Sequence, residues 1–362
     1  MTTLVIGSGL IGSQVARILV EQGEKPVLMD TAAQPQAIGQ IVDLGKVTMV
    51  AGDVLRPLSI VDVLRSHGIT RIAHTAANPL LTLGAQKEPY AAINLNIMGT
   101  VNVLEAARVT GLKRVVVSSS SVLNHYLDGG EDGGNFGREE AFPRPTTFYS
   151  ATKQAVESLG LNYAKWCGIE FAGLRYGAVF GPWSGAGGGG PSNIIREAMR
   201  NALAGKEATV PPGAMEWVYS KDAARGTVMA LDAKDLGSRV FNITLGAMTT
   251  PSEMAAAIGA VFPGAKVKFE APVGTGVSLS NRDHHADLAR AKHTLGFEPQ
   301  FKLWSDGADK KRYAYLPECA PIDTTDMDNW DFPTGTRIWV RFAVVRFGMQ
   351  SDWSVPVLLT MP

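Results

Sequence analysis

Short apolar runs alternate with segments of helical periodicity in the first half of the chain. Residues 3–6 and 26–29 are apolar runs typical of buried strands, and between them apolar residues recur with helical spacing up to Gly23. Such alternation of strands and helices indicates a parallel sheet with helices on both faces. Further along, the same pattern predicts strands at 47–51, 71–75 and 114–117 and helices at 58–67 and 90–110.

The pattern predicts an α/β protein with a Rossmann-type doubly wound parallel sheet and a smaller C-terminal substrate lobe. We assign residues 1–175 to the sheet domain and 176–316 to the lobe, with some elements of the lobe returning to the main sheet. Residues 317–362 form an atypical extension. Within the extension, 337–342 alternate between polar and apolar side chains, which indicates a strand whose edge could pair with a partner, although a poorly packed appendage is the favoured interpretation.

A glycine-rich turn follows the first strand. Gly7 allows a tight bend, Gly9 lets the backbone approach a pyrophosphate, and Gly12 lets helix and strand pack closely. Leu10 and Ile11 belong to the same turn, at the start of a helix whose free N–H groups attract phosphate. This order of elements predicts a dinucleotide site.

Asp30 ends the second strand, about twenty residues beyond the glycine turn. A carboxylate at this place accepts hydrogen bonds from both ribose hydroxyls of adenosine and repels a 2′-phosphate. We therefore predict that NAD is the cofactor and that NADP is disfavoured.

Tyr149 and Lys153 lie four residues apart and hence on one face of a predicted helix. A tyrosine hydroxyl has a pKa of about 10, so a base that works at neutral pH needs a shift of about three units, or ~4 kcal/mol. The Lys153 ammonium, together with a positive nicotinamide ring, favours the phenolate. The pair predicts removal of a proton from a substrate alcohol while hydride passes to NAD.

The candidate residues follow the carboxyl ends of predicted strands. Ligands of open parallel sheets bind at this edge, so the positions support one another. They comprise the glycine turn 7–12, Asp30, Asp53, residues 74–77 and the serines 118–121.

In these positions the chain resembles the extended short-chain dehydrogenase/reductases, also called the NAD-dependent epimerase/dehydratase family. The likeness covers about 1–316 and rests on ordered motifs: the glycine turn, Asp30, Gly52-Asp53, His74-Thr75-Ala76-Ala77, Asn96 to Thr100, Ser118 to Val122, Tyr149 with Lys153, Leu174-Arg175-Tyr176, Gly181-Pro182, Trp217-Val218-Tyr219 with Asp222, and Leu295-Gly296-Phe297 with Pro299.

The resemblance implies roles for further residues. A serine should donate to the oxygen that passes between alcohol and ketone, with Ser119 the first choice and Ser120 the second. Asp53 should accept from the adenine amino group, and Lys153 should also bind the nicotinamide ribose. The cofactor-binding set implied by the resemblance is completed by Val54, Thr75, Ala76, Ala77, Asn96, Ser118, Tyr149 and Tyr176.

Two departures from the family pattern bear on the substrate. Ala178 and Met215 stand where nucleotide-sugar enzymes of the family have an asparagine and an arginine for the nucleotide half of the substrate. We therefore predict an NAD-dependent oxidoreductase that acts on a secondary alcohol of a smaller sugar-like substrate. Two alternatives stay open: a nucleotide-sugar epimerase or dehydratase without net redox change, and a non-catalytic NAD-binding scaffold. Net dehydrogenase and epimerase are not separable by sequence.

Three other features are weaker candidates. The glycine-rich segment 181–191 is placed where a substrate lid would lie. Arg196 and Arg200 could face an anionic group, although a solvated helix face is the favoured interpretation. The pair His284-His285 lacks partners at ligand spacing, so no metal is predicted.

Composition adds several expectations. The formal net charge is zero, which disfavours nucleic-acid and anionic-lipid partners. Two cysteines, no basic segment before an apolar run, and no stretch of eighteen apolar residues favour a cytoplasmic protein without a signal peptide or membrane span. The partner expected is a small molecule, and a homodimer is compatible with the sequence.

Overall fold

The computed structural model describes residues 1–77, 81–126, 145, 147–270 and 285–300, together with four short strands between 337 and 360. Its centre is a sheet of seven parallel strands in the order β10-β6-β5-β4-β1-β2-β3. The sheet strands are β1 (Thr3–Ile6), β2 (Val27–Asp30), β3 (Thr48–Ala51), β4 (Arg71–His74), β5 (Arg114–Ser120), β6 (Glu170–Tyr176) and β10 (Arg239–Ile243).

Helices cover both faces of this sheet. They are α1 (Leu10–Glu21), α2 (Pro35–Gly39), α3 (Pro57–Ser66), α6 (Gly99–Thr110), α7 (Phe148–Cys167) and α9 (Ser220–Asp232). Two short helices, α4 (Leu81–Lys87) and α5 (Pro89–Ile93), pack against α7. The smaller lobe contains β7 (Ala178–Phe180), α8 (Gly189–Leu203), β8 (Ala208–Val210), β9 (Trp217–Tyr219), α10 (Pro251–Val261) and β11 (Val267–Phe269).

Alternate side chains of each central strand enter two separate cores. In β1, Val5 packs with α1 and α9 on one face, whereas Leu4 and Ile6 pack with α3, α6 and α7 on the other. All three side chains are buried because helices cover both faces, which is why the strand is apolar throughout. The predicted fold class is confirmed.

The smaller lobe has its own core, formed by α8, α10 and the strands β7 to β9. Between β9 and α10 the chain returns to the main sheet, where β10 pairs in parallel with β6 and α9 packs against α1. Strand β12 (Arg337–Val340) pairs antiparallel with β15 (Val357–Thr360), and β13 (Val345–Arg346) pairs with β14 (Met349–Gln350). A strand therefore occupies most of the alternating stretch 337–342.

Two predicted elements differ from the structure. The helix expected over 90–110 is interrupted by a π-helical turn, Asn94–Met98, where the Asn96 side chain donates to the Thr152 hydroxyl of α7 at 3.0 Å. Strand β5 does not stop at 117 but continues through Ser120. Consecutive serines of this strand therefore point to opposite faces of the sheet.

Candidate active site

One cavity of about 600 Å³ lies at the carboxyl ends of the sheet strands and extends to the smaller lobe. Both sets of residues predicted from the sequence border it, the glycine turn at one end and Tyr149 with Lys153 at the other. A dinucleotide at the first end and a small substrate at the second would therefore share one space. The predicted residues that line the cavity are Gly7, Gly9, Leu10, Ile11, Gly12, Asp30, Asp53, Val54, Thr75, Ala76, Ala77, Ser118, Ser119, Ser120, Tyr149, Lys153 and Tyr176.

The glycine turn is shaped by close backbone approaches. Gly7 has a φ of +90°, and a Cβ there would meet the Ala76 nitrogen at 2.6 Å. A Cβ on Gly12 would lie 1.8 Å from the Gly7 carbonyl oxygen, so both positions require glycine. By contrast, a Cβ on Gly9 would meet nothing within 4 Å, which leaves open space in front of the turn.

Helix α1 begins behind that open space without a side-chain cap. Its N-cap residue is Gly9, no side chain accepts from its first N–H groups, and its first turn holds no acidic residue. Free N–H groups and the positive end of the helix dipole are the features that bind a phosphate. The glycine turn presents this end of the helix to the cavity.

Asp30 is held at the end of β2 by three hydrogen bonds. Its Oδ2 accepts from the backbone N–H of Ser8 at 2.8 Å and from the Ser8 hydroxyl at 2.9 Å. Its Oδ1 accepts from the N–H of Ala32 at 3.0 Å. The carboxylate is thus fixed at the wall of the cavity beside the glycine turn, where the ribose contact is predicted.

The remaining predicted cofactor residues divide into two groups. Thr75 donates to the carbonyls of Ile6 and Gly7 and so holds the glycine turn, while Asp53 accepts from the N–H of Leu55 at 2.9 Å in its own turn. Both line the cavity. Asn96 does not: it is buried at the π-helical turn against α7, so it fixes the position of the catalytic helix without lining the cavity.

Tyr149 and Lys153 project from the first two turns of α7 toward the end of β5. The Lys153 Nζ donates to the Ser118 carbonyl at 2.9 Å and lies 5.8 Å from the centre of the Tyr149 ring. The Tyr149 hydroxyl is hydrogen-bonded to the side chain of Ser120. Both residues are buried, at 7% and 4% exposure, and both border the cavity.

Burial has opposite effects on the two pKa values. It raises the pKa of Tyr149 to about 12, although the hydrogen bond with Ser120 acts in the other direction. It lowers the pKa of Lys153 to about 8, although the negative charge of Glu157 favours the ammonium. Tyr149 therefore needs added positive charge in the cavity before it can act as a base near neutral pH.

The first-choice serine, Ser119, borders the cavity and lies on the face of β5 that packs against α7. The Ser119 hydroxyl donates to Glu157 Oε1 at 2.5 Å, in a buried cluster with Arg175, and not to Tyr149. Ser120, the second choice and the last residue of the strand, is the serine that interacts with the Tyr149 hydroxyl. The choice between the two serines therefore stays a prediction, and the contact with Tyr149 favours Ser120.

Gln34, which follows β2, is hydrogen-bonded to the glycine-rich segment of the smaller lobe, and this contact was not predicted. Its amide Nε2 donates to the Ala186 carbonyl at 3.2 Å, and its Oε1 accepts from the Ala186 N–H at 2.6 Å. The indole of Trp183 also donates to the Ala186 carbonyl, at 3.0 Å. The glycine-rich segment, whose last residues begin α8, is thereby fastened across the cavity beside the residues after β2.

The substrate end of the cavity is poor in positive charge. Ala178 and Met215 line it, and so does Glu216, whose carboxylate accepts from the Thr244 hydroxyl at 2.7 Å and from the N–H of Ala286. Burial raises the pKa of Glu216. In the described part of the chain, Lys153 is the one lysine or arginine that borders the cavity.

Arg196 and Arg200 are not part of this lining. The Arg196 guanidinium donates to the Trp183 carbonyl at 2.5 Å and to the side-chain oxygen of Asn193. Of the histidine pair, His284 lies outside the described residues, and within those residues no group of His, Cys, Asp and Glu side chains could hold a metal ion.

The parallel sheet, the uncapped helix at a glycine turn and the buried Tyr149/Lys153 pair define a dinucleotide-dependent enzyme of the short-chain dehydrogenase/reductase type. The model of the NAD dependent epimerase/dehydratase family matches residues 3–244, and the chain belongs to this family. NAD is its cofactor, and the open space at Gly9, the free end of α1 and the carboxylate of Asp30 fit a dinucleotide.

Relatives of the chain have different activities. UDP-glucuronate 4-epimerase 1 of Arabidopsis thaliana is 26% identical over 337 residues, which cover 84% of this chain and 74% of that protein. The solved structure of MoeE5 with UDP-glucuronic acid and NAD matches with a TM-score of 0.71 at 25% identity, covering 88% of this chain and 97% of that one.

A dehydrogenase is equally similar. The holo form of a GalE-like L-threonine dehydrogenase from Cupriavidus necator matches with a TM-score of 0.70 at 26% identity, covering 84% of this chain and 96% of that one. Similarity alone therefore does not choose between epimerisation and net oxidation. Within the residues that the structure describes, no helix combines the length and apolarity that a membrane span requires.

Proposed function

We propose that this protein is an NAD-dependent oxidoreductase that transfers hydride from a secondary alcohol of a sugar-like substrate smaller than a nucleotide sugar. The observation that carries the proposal is the placement of Ser120, Tyr149 and Lys153 side by side in the same cavity as the glycine turn. A pure cofactor-binding scaffold has no need of such a group.

Each side chain of the group has a task in this reaction. Tyr149 takes the proton of the substrate hydroxyl, and Ser120 donates a hydrogen bond to the oxygen that becomes a carbonyl. When bound, NAD supplies the hydride acceptor and the positive charge of its nicotinamide ring. The Lys153 ammonium and the N-terminal turn of α7, in which Tyr149 lies, also favour the phenolate.

The charge of the substrate end supports a small substrate. A nucleotide diphosphate beside Ala178 and Met215 would lose water without gaining partners, at a cost of about 1–3 kcal/mol for each unpaired group. The nearby carboxyl of Glu216 would add no attraction for an anion. A free sugar, a polyol or a related hydroxy compound fits this lining better than a nucleotide sugar.

The second candidate is a nucleotide-sugar 4-epimerase that returns the hydride to its substrate. The names of its relatives favour it, since several are UDP-glucuronate 4-epimerases. Calorimetric titration of the NAD-loaded protein with UDP, UDP-glucose and UDP-glucuronic acid tests the two candidates. We expect no binding at low micromolar concentration; such binding would make the epimerase the better proposal.

A thermal-shift screen of sugars, polyols and hydroxy acids in the presence of NAD should identify a substrate, since a ligand stabilises the folded state to which it binds. Absorbance at 340 nm then separates the activities, because NADH accumulates only during net oxidation. Tyr149→Phe should keep its fold and NAD affinity while turnover falls at least about a hundredfold. Near-normal turnover in that variant would remove Tyr149 from the mechanism.

The two serines give a matched pair for the same assay. Ser120→Ala removes the group beside the Tyr149 hydroxyl and should lower turnover much more than Ser119→Ala, whose hydroxyl contacts Glu157. The reverse order would return the role to Ser119. A cytoplasmic location and a homodimer stay predictions; light scattering of the purified protein tests the latter.

A further inference from the structure

A buried polar cluster lies directly behind the catalytic residues. Glu157 follows Lys153 by four residues on α7, so Tyr149, Lys153 and Glu157 form one continuous row on the same face of the helix. All three side chains are less than 9% exposed. The row therefore continues from the cavity into the protein interior, where Arg175 and Ser119 meet Glu157.

The Glu157 carboxylate is held on both of its oxygens. Arg175 on β6 donates from Nε to Oε1 at 2.9 Å and from Nη2 to Oε2 at 2.8 Å, a paired geometry that fixes the carboxylate plane. The Ser119 hydroxyl donates to the same Oε1 at 2.5 Å. Asn124 in turn accepts from the remaining arm of Arg175 at 2.9 Å, which keeps the guanidinium in place.

We infer that Glu157 is a positioning residue for this active site, because its rigidly held carboxylate keeps the neighbouring Lys153 protonated in a desolvated cavity. In this inference Ser119 helps to hold Glu157 in place, whereas the sequence motif predicted a hydrogen bond to the substrate oxygen. The inference rests on the proposed function, in which the Lys153 ammonium contacts the nicotinamide ribose and favours the Tyr149 phenolate.

Other charged groups around Lys153 do not replace Glu157. His74 on β4 is buried, and its pKa is lowered to about 3, first by desolvation and then by the charge of Lys153, so its imidazole is neutral over the pH range of the test. On α6, Glu105 is engaged by Arg108 and Tyr163, near the far end of α7. Arg114 and Glu170 pair with each other at the amino ends of β5 and β6, away from the carboxyl ends where Lys153 lies.

The test measures NADH affinity by fluorescence titration from about pH 6 to pH 10, a range that spans the Lys153 titration. In the unmodified protein, affinity should fall around pH 8, where Lys153 loses its proton. Glu157→Gln should move this midpoint downward by about one pH unit, the usual size of the effect of a close opposite charge. Glu157→Asp, which keeps the charge, should restore most of the shift.

Three controls make the result specific. Lys153→Met should abolish the midpoint. Glu24→Gln neutralises another carboxylate bound to a buried arginine, Arg71, at the amino end of β4, and should leave the midpoint unchanged. If Glu157→Gln does not fold, the double variant Glu157→Gln/Arg175→Gln replaces it, since no unpaired charge is left buried. Its midpoint should lie below that of the unmodified protein by less than about one pH unit, because the positive charge of Arg175, which opposes the effect of Glu157, is lost as well.

The outcomes separate this inference from the proposed function. An equal midpoint in the unmodified protein and in the folded Glu157→Gln or double variant would overturn the inference alone. So would a midpoint that survives Lys153→Met. A protein that binds no NADH at any pH would overturn the proposed function as well. Failure to find a sugar-like substrate would affect neither the titration nor its interpretation.

Discussion

Replacing Asp30 should convert a protein that selects NAD into one that discriminates weakly between NAD and NADP. The carboxylate lines the cavity beside the glycine turn and is fixed there by Ser8 and Ala32. Asp30→Asn keeps the size of the side chain and one acceptor oxygen, but it removes the negative charge. The variant therefore tests the charge without emptying the site.

The magnitude follows from two effects on the free energy of binding. A hydrogen bond to a charged group contributes about 1.5–3 kcal/mol, so its loss should weaken NAD binding by roughly tenfold to a hundredfold. Repulsion between unit charges about 4 Å apart near a surface is at most ~4 kcal/mol, and screening reduces it. Its removal should strengthen NADP binding about tenfold, so the NAD-to-NADP affinity ratio should fall by roughly a hundredfold to a thousandfold.

The ratio is a better readout than either affinity. Asp30 also holds the backbone N–H of Ser8, so its replacement can loosen the glycine turn, but this affects both cofactors alike. Fluorescence titrations with NADH and NADPH measure the ratio without any substrate. Asp43→Asn is the matched control, since Asp43 accepts from the N–H of Gly45 at 2.9 Å in a similar turn that does not line the cavity.

Two results would refute the reasoning. One is an unmodified protein that binds NADPH within about threefold of NADH, because the repulsion calculated above requires a larger difference. The other is an Asp30→Asn variant that keeps the original ratio while Asp43→Asn also keeps it. Either result would mean that the adenosine ribose lies away from Asp30.

Two further predictions address the cavity closure and the acid stability. Gln34→Ala removes two hydrogen bonds to Ala186, each contributing about 0.5–1.5 kcal/mol, so stopped-flow measurements should show NADH leaving about tenfold faster. Gln36→Ala, an exposed neighbour, should leave the rate unchanged, and an equal rate for Gln34→Ala would show that this contact does not retain the cofactor. For His74, burial lowers the pKa in the folded protein from 6.5 to about 3, so below pH 6.5 the unfolded chain takes up a proton that the folded one does not. Its contribution to stability is complete above pH 6.5 and is lost toward pH 3, at about 1.4 kcal/mol per pH unit. Urea denaturation at pH 7 and pH 5 should therefore show His74→Leu gaining about 2 kcal/mol relative to the unmodified protein on acidification, and identical pH dependence of the two would contradict this.

Features that depend on nearest neighbours along the chain were determined by the sequence itself. The bend at Gly7, the approach at Gly12 and the start of α1 need only a strand, a turn and a helix in succession. The shared face of Tyr149 and Lys153 follows from the helical repeat alone. Helical and strand periodicities are properties of the chain, so the fold class and the cofactor end of the cavity could be predicted.

Relations between distant segments were decided only by the tertiary structure. Whether Ser119 or Ser120 faces Tyr149 depends on where β5 ends, and pairing with β6 extends the strand through both serines. Gln34 has no motif, and its contact with Ala186 spans 152 residues of sequence. Glu157 became part of the site because Arg175 on β6 meets it. Local periodicity carries no information on such pairs, since packing of the sheet against α7 brings them together.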